Sequence, residues 1–301
     1  MNQLNSKFQK KALLTGATGF IGNRLKIWLE IQNYEVVCLV RENNYPTKNI
    51  KLDLEKERIP IKFLRDFDVV FHLASYCHDK ITESPKEIKR YEDLNTYAVE
   101  NLAKDCASGG VGEFIFLSTS KVRETNLVNK KSIYSITKRK AEKKLKKIST
   151  TEDIKITIIR SSLVYGPGQK GNLMILEKMM NKWWVPVLGI TKNKKKMIHV
   201  DDLVRAIVFV HENHQSNFNL LNINDGKNYS TEEICKIIKN KKPFLFNWKI
   251  NEIFLKYLLP FDKLIGYKLN KLFSNDLECS ENSKVSGFKP NLSFEDFDKN
   301  D

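Results

Sequence analysis

The stretch that most restricts this chain is Lys11-Ala-Leu-Leu-Thr-Gly-Ala-Thr-Gly-Phe-Ile-Gly22. A short apolar run feeds a turn punctuated by Gly16, Gly19 and Gly22. Leu25, Ile27, Trp28, Leu29 and Ile31 then follow at helical spacing. The order is strand, tight turn, helix. Glycine lets a backbone turn sharply and approach a phosphate without a clashing Cβ. A helix N-terminus offers that phosphate free N–H groups and the positive end of its dipole. Gly22 lets the helix lie close to the sheet. A glycine triplet alone is a weak signal. Between a strand and a helix it reads as a dinucleotide cradle, with Gly16, Thr18, Gly19, Phe20, Ile21 and Gly22 against the cofactor.

The rest of the first half keeps the same rhythm. Glu35–Val40 is an apolar run of the kind buried in a parallel sheet, and it completes a β-α-β unit. Strands are expected at Asp68–Ala74, Glu113–Ser118 and Ile154–Arg160, and helices at Tyr91–Ser108 and Tyr134–Ile148. Alternation of this kind predicts an α/β fold, a doubly wound parallel sheet of the Rossmann type. Near Gly166 the rhythm changes to shorter segments with Gly, Pro, Trp and Lys clusters. The expectation is a dinucleotide-binding domain over 1–166 and a smaller C-terminal substrate lobe over 167–301. Residues 196–213 are expected to return to the first domain. The polar tail Phe294–Asp301 is expected to fray.

Composition removes whole classes of function. The net charge is +15, carried by 51 basic residues of which only nine are Arg. Nucleic-acid readers favour Arg, whose fork grips phosphate and guanine. Nucleic acid is therefore not expected as a partner, and the lysine excess reads as background. No apolar stretch reaches 18 residues, so no stable membrane insertion is expected. Met1–Lys11 is polar and lacks the apolar core of a signal peptide. Cys38, Cys77, Cys106, Cys235 and Cys279 are scattered without a CxxC pair. A cytoplasmic protein with neither metal site nor disulfide framework is expected.

The end of the second strand bears on the cofactor. An acid there would bind the ribose 2′-hydroxyl of NAD, whereas an Arg accommodates the 2′-phosphate of NADP. Val40 stands at the acid's position and Arg41 follows, which leans toward NADP. Arg41 stacking over adenine, or facing water, is the other reading. Asp53 and Leu54 follow a short strand, where Asp53 could meet the adenine amino group or serve as a plain loop residue.

Tyr134 and Lys138 stand four apart, on one face of a helix. A free tyrosine is too weak an acid to serve as a base at neutral pH. A nearby ammonium favours the phenolate, by roughly two to three pKa units or about 3–4 kcal/mol. Such a pair could take a hydroxyl proton while hydride leaves the same carbon. Thr119, at the end of the preceding strand, would hydrogen-bond the same oxygen. As a bare pattern the pair is common. Its place after Ser118-Thr119-Ser120, on a dinucleotide fold, gives it weight.

These residues, with His72-Leu73-Ala74, Asn95, Tyr165-Gly166-Pro167-Gly168 and His199-Val-Asp-Asp-Leu203, occur in a familiar order. Over about residues 10 to 297 the chain resembles the extended short-chain dehydrogenases/reductases. It is most similar to the NAD-dependent epimerase/dehydratase branch acting on nucleotide sugars, of the UDP-glucose 4-epimerase and 4-keto-sugar reductase type. Stretches such as Val164–Asn172 also resemble enzymes of bacterial surface polysaccharide synthesis. The resemblance implies that Thr119 polarises the sugar oxygen, Tyr134 is the acid/base, and Lys138 holds the nicotinamide ribose and tunes Tyr134. It implies that Leu73 and Ala74 line the cofactor. Asn95 supports the active-site network and belongs with the substrate-binding residues. Asn172 and Lys195 are candidates for the nucleotide and diphosphate of a UDP-sugar, and the cofactor is NAD or NADP. A homodimer through a four-helix interface that includes Tyr134–Ile148 is also implied.

The chain departs from the branch where sugar dehydratases carry an Asp-Glu pair after the catalytic Thr. Ser120-Lys121 stands there, so dehydration is disfavoured. The loop Val122–Ser132 is short. Several features keep two readings. His72 and His78 read as structural or pocket-lining, and His199 as setting the start of the following helix. Trp183-Trp184 could stack on a base or pack the lobe. Lys192–Lys196 could face a phosphate or solvent. Phe244–Phe273 could touch an anionic membrane, although packing is favoured. A protein of another class, a catalytically silent NADP-binding sensor on the same fold, stays open as the alternative.

Overall fold

The computed structural model describes residues 10–42, 48–77, 84–123, 132–182, 187–188, 193–241, 249–250 and 285–299. The chain divides into two compact units, Met1–Ser161 with Val204–Asn222, and Ser162–Leu203 with Ile223–Asp301. The segment joining the first unit is thus 204–222, where 196–213 was expected.

In the first unit the chain runs β1 (Lys10–Thr15), α1 (Phe20–Ile31), β2 (Tyr34–Val40), β3 (Asn49–Lys51), α2 (Ile61–Leu64), β4 (Val69–His72) and α3 (Pro85–Glu92). It continues through a π-helical turn at Asp93–Tyr97 into α4 (Ala98–Ser108), then β5 (Glu113–Thr119), α5 (Ile133–Thr151) and β6 (Lys155–Ser161). The expected helix Tyr91–Ser108 therefore begins earlier, where Ser84 and Glu87 form a reciprocal cap and Pro85 takes the first helical position. The strands stand in the order β10-β6-β5-β4-β1-β2-β3, with β10 (Phe218–Ile223) at one edge. Pairing is parallel from β3 through β6. Strand order reverses between β1 and β4, and in open α/β sheets ligands bind beyond the carboxyl ends of strands at such a switch.

The two faces of this sheet explain its sequence. Ala12, Leu13 and Leu14 of β1 are fully buried, and all seven residues of β5 are buried. Leu13, Val70, Phe114, Phe116, Leu145, Ile156 and Ile158 share one apolar cluster. Burial of each such side chain is worth about 1.5–3 kcal/mol.

The second unit contains β7 (Leu163–Tyr165), α6 (Asn172–Met180), β8 (Val187–Leu188), β9 (Met197–His199), the first residues of α7 (Val200–Asn213), α8 (Thr231–Asn240) and β11 (Lys249–Ile250). Its core is aromatic. The Tyr165 and Phe294 rings meet edge-on at 5.1 Å, and Phe294 stacks on Phe297 at 5.2 Å. The expected fraying of the tail is corrected here. Phe294 is fully buried, its N–H donates to Tyr229 Oη at 3.1 Å, and the Asp202 carboxylate accepts the N–H groups of Asn291 and Leu292. Two aromatic anchors outweigh the polar residues around them. His199 Nδ1 accepts the Asp201 N–H at 3.2 Å, which secures the first turn of α7.

Candidate active site

The turn after β1 is built by close approach. Gly16 has φ +77°, and a Cβ on it would lie 2.7 Å from Ala74 N and 2.8 Å from Leu73 C. A Cβ on Gly22 would lie 2.1 Å from Gly16 O. Only glycine lets α1 descend onto this turn while the backbone after β4 abuts it. Gly19 caps α1 without a side-chain bond, and no acidic residue stands in the first turn. Thr18 is exposed, and Phe20 and Ile21 are partly so. A helix start left positive, uncapped and floored by glycine fits a pyrophosphate.

Behind this turn the polar atoms carry no charge. Thr15 Oγ1 bonds His72 Nδ1 at 3.0 Å and accepts the Ala74 N–H at 3.1 Å. His72 is fully buried, with the Phe114 and Phe116 rings 5.7 and 6.0 Å away. Burial, aided by the nearby Lys138 charge, pushes its pKa down to about 3. Arg41 is exposed just beyond β2, and Val40 is buried. Asp53 is engaged in its own turn, accepting the Glu55 N–H at 3.2 Å and pairing with Lys56 at 3.6 Å. Leu54 packs against the apolar cluster.

Thr119 ends β5 opposite Ser161 of β6, and its Oγ1 accepts the Lys121 N–H at 3.3 Å. Tyr134 and Lys138 lie on α5, whose Ser132 cap accepts the Ser135 N–H. Lys138 is 1% exposed. Its Nζ donates to Leu117 O at 2.8 Å and stands 4.3 Å from the Phe116 ring centre, against 5.9 Å from that of Tyr134. Burial drives the Tyr134 pKa up and the Cys77 side chain adds to this, opposed by a Ser75 hydrogen bond. Burial also lowers Lys138 to about 7, opposed by Cys77 and Glu142. The ammonium thus bonds a backbone carbonyl of β5 and lies over the Tyr134 ring.

Asn95 sits inside the π-turn, fully buried. Its Oδ1 accepts the Tyr76 N–H at 2.7 Å, and its Nδ2 donates to Tyr76 O at 2.9 Å and to Thr137 Oγ1 at 3.5 Å. Expected among the substrate-binding residues, Asn95 has its amide engaged in tying the segment after β4 to α5. Thr96 Oγ1 donates to Thr137 O at 3.0 Å and strengthens that tie. Single π-turns recur at functional sites.

The structure adds four residues that sequence reasoning missed: Ser75, Cys77, Glu142 and Arg160. Glu142 carries a signal that could have found it, because it continues the Tyr134, Lys138 spacing by one further turn. In the second unit Asn172 opens α6. Lys195 is buried, and its backbone exchanges two hydrogen bonds with Tyr229 at 2.8 and 2.9 Å. His78, Trp183, Trp184, Lys192, residues 124–131 and most of 244–273 lie outside the described residues. Among the described residues no helix is long and apolar enough to cross a membrane.

The sequence profile of the NAD dependent epimerase/dehydratase family matches residues 12–224. UDP-glucose 4-epimerase of Vibrio cholerae is 29% identical over 305 residues, covering 94% of this chain and 92% of that protein. dTDP-D-glucose 4,6-dehydratase of Dictyostelium discoideum is 25% identical, covering 80% of this chain and 64% of that protein. The solved structure of MoeE5 in complex with UDP-glucose and NAD aligns with a TM-score of 0.66 at 26% identity. That alignment covers 80% of this chain and 84% of that one.

Proposed function

The chain belongs to the NAD dependent epimerase/dehydratase family, and from that premise we propose that it exchanges hydrogen at C4 of a UDP-linked sugar. It acts as a 4-epimerase or a 4-keto-sugar reductase, in the cytoplasm and in the making of surface polysaccharide. The observation that carries this reading is Thr119 at the end of β5 with Tyr134 and Lys138 on α5, in the unit that holds the glycine turn. The nicotinamide, when bound, supplies or accepts hydride. Gly16, Gly19 and Gly22 with the start of α1 would hold its pyrophosphate. Tyr134 would exchange a proton with the sugar O4, and Thr119 would hydrogen-bond that oxygen. Lys138, protonated, would turn to the ribose and the phenolate. Asn172 and Lys195 stay proposed for the nucleotide end of the substrate.

Arg41, exposed beyond β2, leans the cofactor toward NADP, whereas the MoeE5 complex contains NAD. Dehydration needs an acid and a base at neighbouring carbons. Ser120 and Lys121 follow Thr119, so dehydration is the less suited reaction. The similarity to a 4,6-dehydratase makes this a point for experiment. A catalytically silent NADP-binding sensor on the same fold is the alternative that turnover has to exclude.

The deciding experiment combines cofactor binding with turnover on a panel of UDP- and GDP-sugars, for the wild type and Tyr134→Phe. The expected result is a roughly 10²–10⁴-fold loss of kcat in Tyr134→Phe with cofactor affinity retained. Stoichiometric NADPH consumption marks a reductase, and interconversion of C4 epimers without consumption marks an epimerase. NADPH binding with no turnover across the panel would establish the sensor instead.

A further inference from the structure

Glu142 lies one turn beyond Lys138 on α5 and is 6% exposed. Its carboxylate accepts the Ser118 hydroxyl at 2.5 Å on Oε1, Arg160 Nε at 3.0 Å on the same oxygen, and Arg160 Nη2 at 2.6 Å on Oε2. Ser118 and Arg160 are register partners on β5 and β6, and Ser118 immediately precedes Thr119. One buried carboxylate thus ties α5 to the ends of two strands. Desolvating such an ion pair costs about as much as its attraction returns, so stability alone is a weak reason for its presence.

We propose that Glu142, clamped by Arg160 and Ser118, is a positioning residue that sets the register of Thr119 against Lys138 and holds the proton on Lys138. This rests on the reading of Thr119 and Lys138 given above. The groups facing Lys138 are few. Glu142 and Tyr134 approach from α5, the Phe116 ring and Leu117 carbonyl from β5, His72 from β4, and Cys77 from the segment after β4. Burial keeps His72 neutral near physiological pH. Among the described residues, Glu142 is the one carboxylate in that set. Burial lowers Lys138 to about 7, and Glu142 acts in the opposite direction.

The test needs no ligand for its first readout. The full chain labelled with [¹³Cε]lysine is titrated by NMR, and Lys138→Met identifies the Lys138 resonance. In Glu142→Gln, which keeps the shape and removes the charge, its midpoint is expected to fall by about one pH unit. The alkaline limb of kcat/KM should fall with it. Glu142→Asp should restore most of both. Should Glu142→Gln fail to fold, Ser118→Ala removes one hydroxyl from the clamp, and a three- to tenfold loss of kcat at unchanged KM is expected. An unmoved Lys138 midpoint in folded Glu142→Gln, or wild-type kcat in Ser118→Ala, overturns the proposal. A shifted midpoint in a protein whose wild type turns over none of the sugars would instead sink the functional reading and leave the Glu142–Lys138 coupling in place.

Discussion

At the ends of β1 and β4 the first unit buries polar groups without charge, whereas at the ends of β5 and β6 it buries full charges. On the first side Thr15 and His72 satisfy one another, and glycines bring backbone against backbone. On the second, Lys138 and Glu142 are drawn out of water, with half-buried Arg160 paired to Glu142 and Glu142 favouring the Lys138 charge. A dinucleotide backbone is recognised by shape and N–H groups, which backbone can supply. Proton transfer needs a group that changes charge, which only side chains can supply. The two sides divide the work in that way.

The largest expected effect breaks the shape side. Gly22→Ala drives a methyl to 2.1 Å from Gly16 O, against the Gly16–Ala17 backbone of the turn, which cannot yield. A loss of about 3 kcal/mol or more in urea unfolding, with loss of cofactor binding, is expected. Gly110→Ala is the control: its φ is +78° but nothing lies within 4 Å, so only about 1 kcal/mol should go.

Next in size is a separation of the two sides by pH. His72 is held at about 3 in the fold, against about 6.5 unfolded, so the unfolded chain binds more protons between those values. The protein should therefore gain stability as pH rises from about 3 to 6.5 and lose it on acidification through that window. Lys138 is at about 7 in the fold, against about 10.4 unfolded. Its buried ammonium weighs on the protein at and below neutrality, and the burden lifts as pH rises toward 10. Each slope should reach up to about 1.4 kcal/mol per pH unit within its window. Urea midpoints across pH should show His72→Leu losing the acid slope and keeping the alkaline one, and Lys138→Met losing the alkaline slope while keeping most of the acid one, which burial dominates. If either variant flattened both, the separation would fail.

The smallest effect lies at the edge of the shape side. Asp53→Ala removes a carboxylate already engaged in its own turn. The expected loss is below about 1 kcal/mol, with affinity for NAD and NADP within about threefold by fluorescence titration. A tenfold fall would bring Asp53 into the cradle.

What was legible in the chain was local. The glycine turn, the alternating strands and the Tyr134, Lys138 spacing all lie within short stretches whose geometry follows from residue type. Long-range partners were not legible. The same spacing that puts Lys138 beside Tyr134 conceals that its ammonium meets the Leu117 carbonyl, and that burial pushes the phenol up and the ammonium down. Glu142 was hidden among the lysines of α5, because its partners Ser118 and Arg160 come from two strands. The tail looked polar by count, but Phe294 and Phe297, three residues apart, settle it in the aromatic core of the second unit.

The π-turn at Asp93–Tyr97 has a consequence for how this helix could change over time. A turn of this kind holds one more residue than the α-helix around it, so α4 is rotated by about a hundred degrees from where α3 would have carried it. Removal of one residue anywhere in the turn would restore an unbroken α-helix and rotate α3 against α4. Asn95 could then no longer face both Tyr76 and Thr137. Substitutions along this helix can be absorbed one at a time, but its length is a phase setting that the site reads directly.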